Sequence, residues 1–176
     1  MIERRVGMFE IGDYVVNANN GICKITEVVE LDLSGGKTLK PYYLLVPMEE
    51  TTAKVFIPVD NANNRIRKVI NKEEAIDVID RIPDIEETCI ANEKERESKY
   101  KAAIKSCELD ELVGIIKNLY HRQQDRLAQG KKSTAVDERY FKLAESHLYS
   151  ELAFAMGRQK QEMQQLICDR LESVKA

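Results

Sequence analysis

The stretch FEIGDYVVNANNGICKITEVVEL, from Phe9 to Leu31, decides how the first part of the chain is read. Tyr14-Val15-Val16 makes a short strand. Asn17 to Gly21 is turn chemistry, because Asn and Gly enter positive φ at little cost. Ile22 to Leu31 then resumes as a second strand, with Ile22, Val28 and Val29 β-branched and Ile25 continuing the run. A tight antiparallel hairpin therefore opens the chain. Working outward, Ser34-Gly35-Gly36-Lys37 turns the chain again, and further strands are predicted at 42–46 (YYLLV), 54–57 (KVFI) and 66–69 (IRKV). Short strands at roughly ten-residue spacing, with turn signals between them, predict a small antiparallel barrel. Closure would hide the strand edges of so small a module. Pro47 and Pro58 fall at strand ends, where a missing N–H does little harm.

From Asn71 onward the period changes from two to 3.6. A helix is predicted from Lys72, with Glu73 and Glu74 in its first turn suiting the dipole and Pro83 ending it. A polar helix is predicted over 90–106. The next carries Leu109, Leu112, Val113, Ile116, Leu119, Tyr120 and Leu127 on one stripe, and Gly130 stops it. Thr134 is the predicted N-cap of a fourth, with Phe141, Ala144, Leu148, Leu152 and Ala155 behind it and Gly157 closing it. The last carries Met163, Leu166, Ile167, Leu171 and Val174. The expected fold class is thus α+β: a β domain over 1–70, then an all-helical domain of about five helices over 71–176.

The net charge of −3 is unevenly spread. Residues 72–93 carry two basic and eight acidic side chains, whereas 94–142 carry twelve basic and eight acidic. Average acidity therefore does not exclude a nucleic-acid partner, since binding follows the local field. Within the predicted second helix, Lys94, Ser98, Lys101 and Lys105 fall at i, i+4, i+7 and i+11, on one side, with Tyr100, Ala103, Ile104 and Cys107 on another. That lysine stripe is either a solvated face or a contact for backbone phosphates.

Other classes are disfavoured. No apolar run is long enough to span a membrane, and no apolar segment follows Met1-Ile2-Glu3-Arg4-Arg5, so no secretory signal is expected. The four cysteines, Cys23, Cys89, Cys107 and Cys168, are scattered and read as reduced thiols of a cytoplasmic protein rather than a metal site or disulfide framework. His121 and His147 stand in no metal or triad spacing. Gly12-Asp13 and Gly35-Gly36 are turns, and no phosphate-loop motif occurs. No catalytic residue, metal ligand, cofactor or small-molecule substrate is expected. A β module joined to a helical domain without catalytic groups reads as a binding protein with two surfaces.

The opening FEIGDYVVNANNGICKI resembles that of the CarD/CdnL family of bacterial transcription regulators, in its apolar residue, two spacers, Gly-Asp, Val-Val pair and turn ending in Gly. The similarity continues at Tyr43-Leu44-Leu45-Val46, Ile57-Pro58 and Ile66-Arg67-Lys68-Val69, then at Tyr100-Lys101-Ala102, residues 113–119 and Ser150-Glu151-Leu152-Ala153. A similar barrel occurs in transcription-repair coupling factors, inside a far longer helicase. The resemblance implies an N-terminal Tudor-like, SH3-like barrel that docks on the RNA polymerase β subunit, and a helical domain that touches promoter DNA, where a Trp wedges into the minor groove. This chain has no Trp. The wedge position falls on Arg96, which can enter a narrow groove but cannot unstack bases as an indole does. Family basic positions fall on Ser98 and Glu138, and Lys101 stays basic. Two polymerase-side arginines align to Leu31 and Phe56. The residues expected at DNA are Lys94, Arg96, Lys101, Lys105 and Arg139. Those expected at the polymerase are Leu31, Val55, Phe56 and Ile57, aided by strand-edge pairing. The alternative is a protein-only adaptor whose domains bind two protein partners. A stand-alone RNA-binding barrel is weaker, because the barrel is charge-neutral with few aromatics.

Overall fold

The computed structural model describes residues 8–175, with side chains described through residue 170. Met1 to Arg5 lie outside the described residues, and so do the side chains of Leu171 and Val174. The chain divides into two compact units, Met1–Val69 and Ile70–Ala176.

The first unit is one antiparallel sheet of five strands: β1 (Tyr14–Asn17), β2 (Gly21–Leu31), β3 (Lys40–Pro47), β4 (Val55–Pro58) and β5 (Ile66–Lys68), in the order β4-β3-β2-β1-β5. Gly21, at φ +66°, closes the first hairpin in the conformation a side chain would resist. Asp13 steadies its base: the carboxylate accepts the Glu10 N–H at 2.9 Å and pairs with Lys68 of β5 at 3.1 Å. The register between β2 and β3 slips at Ile25/Glu27, a bulge that bends the long strand. β4 and β5 are the two ends of the ladder, and a 3-10 turn, Val59–Asn64, joins them. That turn packs on β3, β4 and β5 and puts Ala62 into the core. The core comprises Phe9, Val15, Cys23, Ile25, Tyr43, Leu45, Ile57, Ala62 and Ile66. Tyr43 is fully buried, lies edge-on to Phe9 at 6.0 Å, and donates its hydroxyl to the Phe9 carbonyl at 3.2 Å.

The second unit holds α1 (Lys72–Arg81), α2 (Arg96–Ser106), α3 (Leu109–Ala128), α4 (Ala135–Met156) and α5 (Lys160–Lys175). Asn71 and Glu74 form a reciprocal capping box at the start of α1, so Glu74 does more than complement the dipole. Thr134 caps α4 by accepting the Asp137 N–H at 3.1 Å. Gly157, at φ +64°, ends that helix. Tyr100, Ile115, Leu152 and Met163 are the largest fully buried side chains of this core. Two members of the predicted α3 stripe, Tyr120 and Leu127, are instead exposed, and Ile115 takes their place inward. No helix among the described residues is long and apolar enough to cross a membrane.

The second helix is shorter than its sequence suggests. It starts at Arg96, preceded by a 3-10 turn over Glu93–Glu95 that Asn92 caps. Residues 85–92 form an extended strap, because their polar groups are taken up by a neighbouring helix rather than by each other.

Candidate functional site

The strap crosses α3 on a polar stripe: Gly114, Lys117, Asn118, His121 and Arg122, at i, i+3, i+4, i+7 and i+8. The Thr88 N–H donates to the Gly114 carbonyl at 3.1 Å. Lys117 donates to the carbonyls of Pro83, at 3.2 Å, and Ile85. Burial pulls the Lys117 ammonium below its usual range, while Asp84 and Glu87 push it back up. Asn118 gives its NH2 to Glu87 at 3.0 Å and to the Thr88 carbonyl at 3.1 Å. His121 pairs with Glu87.

Gly114 makes the crossing possible. A Cβ there would lie 2.6 Å from Thr88 Oγ1 and 3.2 Å from the Glu86 carbonyl oxygen. Helix propensity would favour Gly114→Ala by about 1 kcal/mol, but overpacking costs about 1–3 kcal/mol. The expected result is a net loss of about 1 kcal/mol, set by those opposing terms. It should be read as faster amide exchange at Thr88 with the sheet amides unchanged.

Beyond the strap, the stripe ends in a charged network. Arg122 clamps Glu93 through two bonds, at 2.8 and 2.9 Å, and donates from Nε to Asp137 Oδ2 at 2.9 Å. Glu93 precedes α2 and Asp137 lies in the first turn of α4, so Arg122 ties the starts of both helices together. Arg96 donates to Glu93 at 3.1 Å, to the Tyr100 hydroxyl at 2.9 Å and to Asn118 Oδ1 at 3.0 Å. The Tyr100 hydroxyl in turn donates to Asp137 at 3.2 Å. Burial lifts the Asp137 carboxyl, yet the bonds from Arg122, Thr134 and Tyr100 and the Arg122 charge bring it below its usual range. No buried side-chain polar atom among the described residues lacks a partner.

The DNA expectations meet this geometry unequally. Arg96 is turned inward, its side chain 14% exposed. Lys94 is exposed but sits in the 3-10 turn, off the 100° spacing assumed for a continuous helix. Lys101 and Lys105 remain exposed on α2, about one turn and 6 Å apart. Arg139, on α4, arrives beside Lys101: it donates to Glu97 at 3.0 Å and lies 4.7 Å over the Tyr140 ring, while Lys101 pairs with the same carboxylate at 3.2 Å. The Lys101 hydrogen bond and charge, with Tyr140 and Arg139, hold Glu97 below the usual carboxylate range. The cation cluster thus spans two helices, which spacing along one helix could not disclose. Arg122, Asn118 and Asp137 were also missed. The signal was the polar i, i+3, i+4, i+7, i+8 stripe opposite the apolar one.

In the strand unit, register sorts the four expected residues into two pairs. Leu31 opposes Lys40, and Phe56 opposes Leu44, which puts both on the sheet face away from the core, with Val29 and Tyr42 between them. Val55 and Ile57 alternate to the other face: Ile57 is buried in the core and Val55 packs against it. Their side chains therefore turn away from the face that carries Leu31 and Phe56, and β4 is an end strand of the ladder. No group of three or more His, Cys, Asp or Glu able to hold a metal occurs among the described residues.

Two family models match the chain. The CarD-like/TRCF RID domain matches residues 9–70, which include all five strands. The CarD C-terminal domain matches residues 74–168, from α1 into α5. No curated protein matches the chain.

Proposed function

This chain belongs to the CarD-like family, and from that premise we propose that it regulates transcription by holding RNA polymerase through its strand unit and promoter DNA through its helical unit. The observation that carries this reading is the presence of both family regions in one chain, in order, one on each compact unit. The polymerase contact is assigned to the β subunit, through the open edge of β4 and the outer face bearing Leu31 and Phe56. The DNA contact is assigned to Lys101, Lys105 and Arg139, with Lys94 at the margin. These cations would hold backbone phosphates, which position a protein without reading sequence. With no indole, the helical unit supplies charge near melted DNA and no unstacking wedge, so its hold on the open complex is mainly electrostatic.

The test is a salt titration of the full chain on a promoter duplex, beside capture of core RNA polymerase. Replacing Lys101, Lys105 and Arg139 with Ala should reduce the slope of log affinity against log salt by about 0.9 per contact, roughly 2.7 in all. Polymerase capture should be unchanged. A specific observation favours the adaptor as second reading: Glu97 already occupies both Lys101 and Arg139. An unchanged slope with retained polymerase capture would select it.

A further inference from the structure

We infer that Arg96 is a positioning residue, whose guanidinium sets the start of α2 from inside the protein instead of reaching nucleic acid. The inference rests on the proposed DNA contact only for its functional consequence. Three hydrogen bonds fix the side chain, and they run to three different parts of the fold: Glu93 ahead of the helix, Tyr100 one turn along it, and Asn118 on α3. Tyr100 and Asn118 are themselves buried, so the two Nη1 bonds are made away from water, where an unmet acceptor is costly. Glu93 is shared with Arg122, which anchors on Asp137. The 3-10 turn carrying Lys94 is therefore held between two guanidiniums. From Arg96 onward α2 is a regular helix, and the placement of Lys101 and Lys105 follows from where that helix starts. A planar fork is needed. Lysine at this position keeps the charge and three N–H donors, but they radiate from one nitrogen, which cannot occupy the two separate places from which Nε reaches Glu93 and Nη1 reaches Tyr100 and Asn118.

The experiment compares Arg96→Gln, Arg96→Lys and Lys101→Ala in the full chain. It has two readouts: amide exchange over residues 93–101, and the salt slope of promoter-duplex binding. Both Arg96 variants should speed exchange over 93–101 about tenfold, the loss of roughly one net hydrogen bond. Amides of α5 and of the sheet should keep their protection, and the salt slope should not change. Lys101→Ala should do the reverse, lowering the slope by about 0.9 with exchange unchanged. Three results would overturn the inference. One is unchanged exchange in Arg96→Gln. Another is a slope drop of about 0.9 that Arg96→Lys restores, the mark of a direct phosphate contact. The third is a rise in exchange spread evenly over the helical unit, which would make Arg96 a general stability residue. If the unaltered chain fails to bind DNA, the functional proposal fails, and the exchange arm alone decides the role of Arg96.

Discussion

Phe56→Asp is expected to weaken binding to the RNA polymerase β subunit about a hundredfold, or about 2.7 kcal/mol. Phe56 is 38% exposed and opposes Leu44 on the outer face of the sheet. A carboxylate there would have to be desolvated against an apolar patch on docking. The substitution lies outside the cluster of Phe9, Val15, Cys23, Ile25, Tyr43, Leu45 and Ile57, so the sheet should unfold at nearly its original denaturant concentration. Ile57→Asp serves as the contrast. Its side chain lies in the core, and the same chemistry one residue away should unfold the strand unit rather than act on binding alone. Affinity measured on the isolated β subunit checks this. A value within twofold of the unaltered chain would remove the outer face of β4 from the interface.

Arg122→Ala should destabilise the helical unit by about 3 kcal/mol, the lower end for breaking a buried pair, because the Arg122 side chain keeps some exposure. The larger part of the loss comes from Asp137, whose side chain is 9% exposed and would be left buried with its main cation gone. Urea unfolding followed by helical circular dichroism reads the effect, with the sheet unit as an internal control. A pH series separates the pair from mere packing. Asp137 titrates below its usual value of 3.8 when folded. Its contribution is therefore fully present above the unfolded value, near pH 3.9, and is lost as pH falls through the lower folded value. The gap between the unaltered chain and Arg122→Ala should close as the solution is acidified below about pH 4. A gap independent of pH would assign the loss to packing.

Strand and helix placement was readable because hydrophobic period is a local property. Val15, Cys23 and Ile25 alternate inward as their spacing says, and Thr134 and Gly157 bound α4 as their chemistry says. What local reading missed depends on partners distant in the chain. The strap at 85–92 is extended because Gly114, Lys117 and Asn118 supply its hydrogen bonds, and no property of its own residues announces that. Val55 and Ile57 were grouped with Phe56 by adjacency, although a strand sends neighbours to opposite faces. The lysine stripe assumed a helix running through Lys94. The cluster of Lys101 with Arg139 required knowing that α2 and α4 share Glu97. The missing Trp was plain in the composition, but the inward turn of Arg96 depended on Asn118 of α3, 22 residues away, which sequence spacing does not tie to it as it does Tyr100 one turn along.

The Asn118 amide has a consequence for how such a chain can change over generations. Its oxygen accepts from Arg96 while its NH2 donates to Glu87 and to the Thr88 carbonyl. A carboxylate at 118 would accept from Arg96 but could not donate to the strap, and an aliphatic side chain could do neither. A phenylalanine at 96, which has no donor, would leave the Asn118 oxygen buried without one, a defect of about 1–3 kcal/mol. Positions 96 and 118 are therefore epistatic. Substitution at either alone passes through a weakened intermediate, whereas the pair can change together. While Asn118 stands, a residue without a donor is disfavoured at position 96 by one hydrogen bond on a neighbouring helix. Exchanging the pair takes at least two steps, and the intermediate between them carries that cost until the second step removes it.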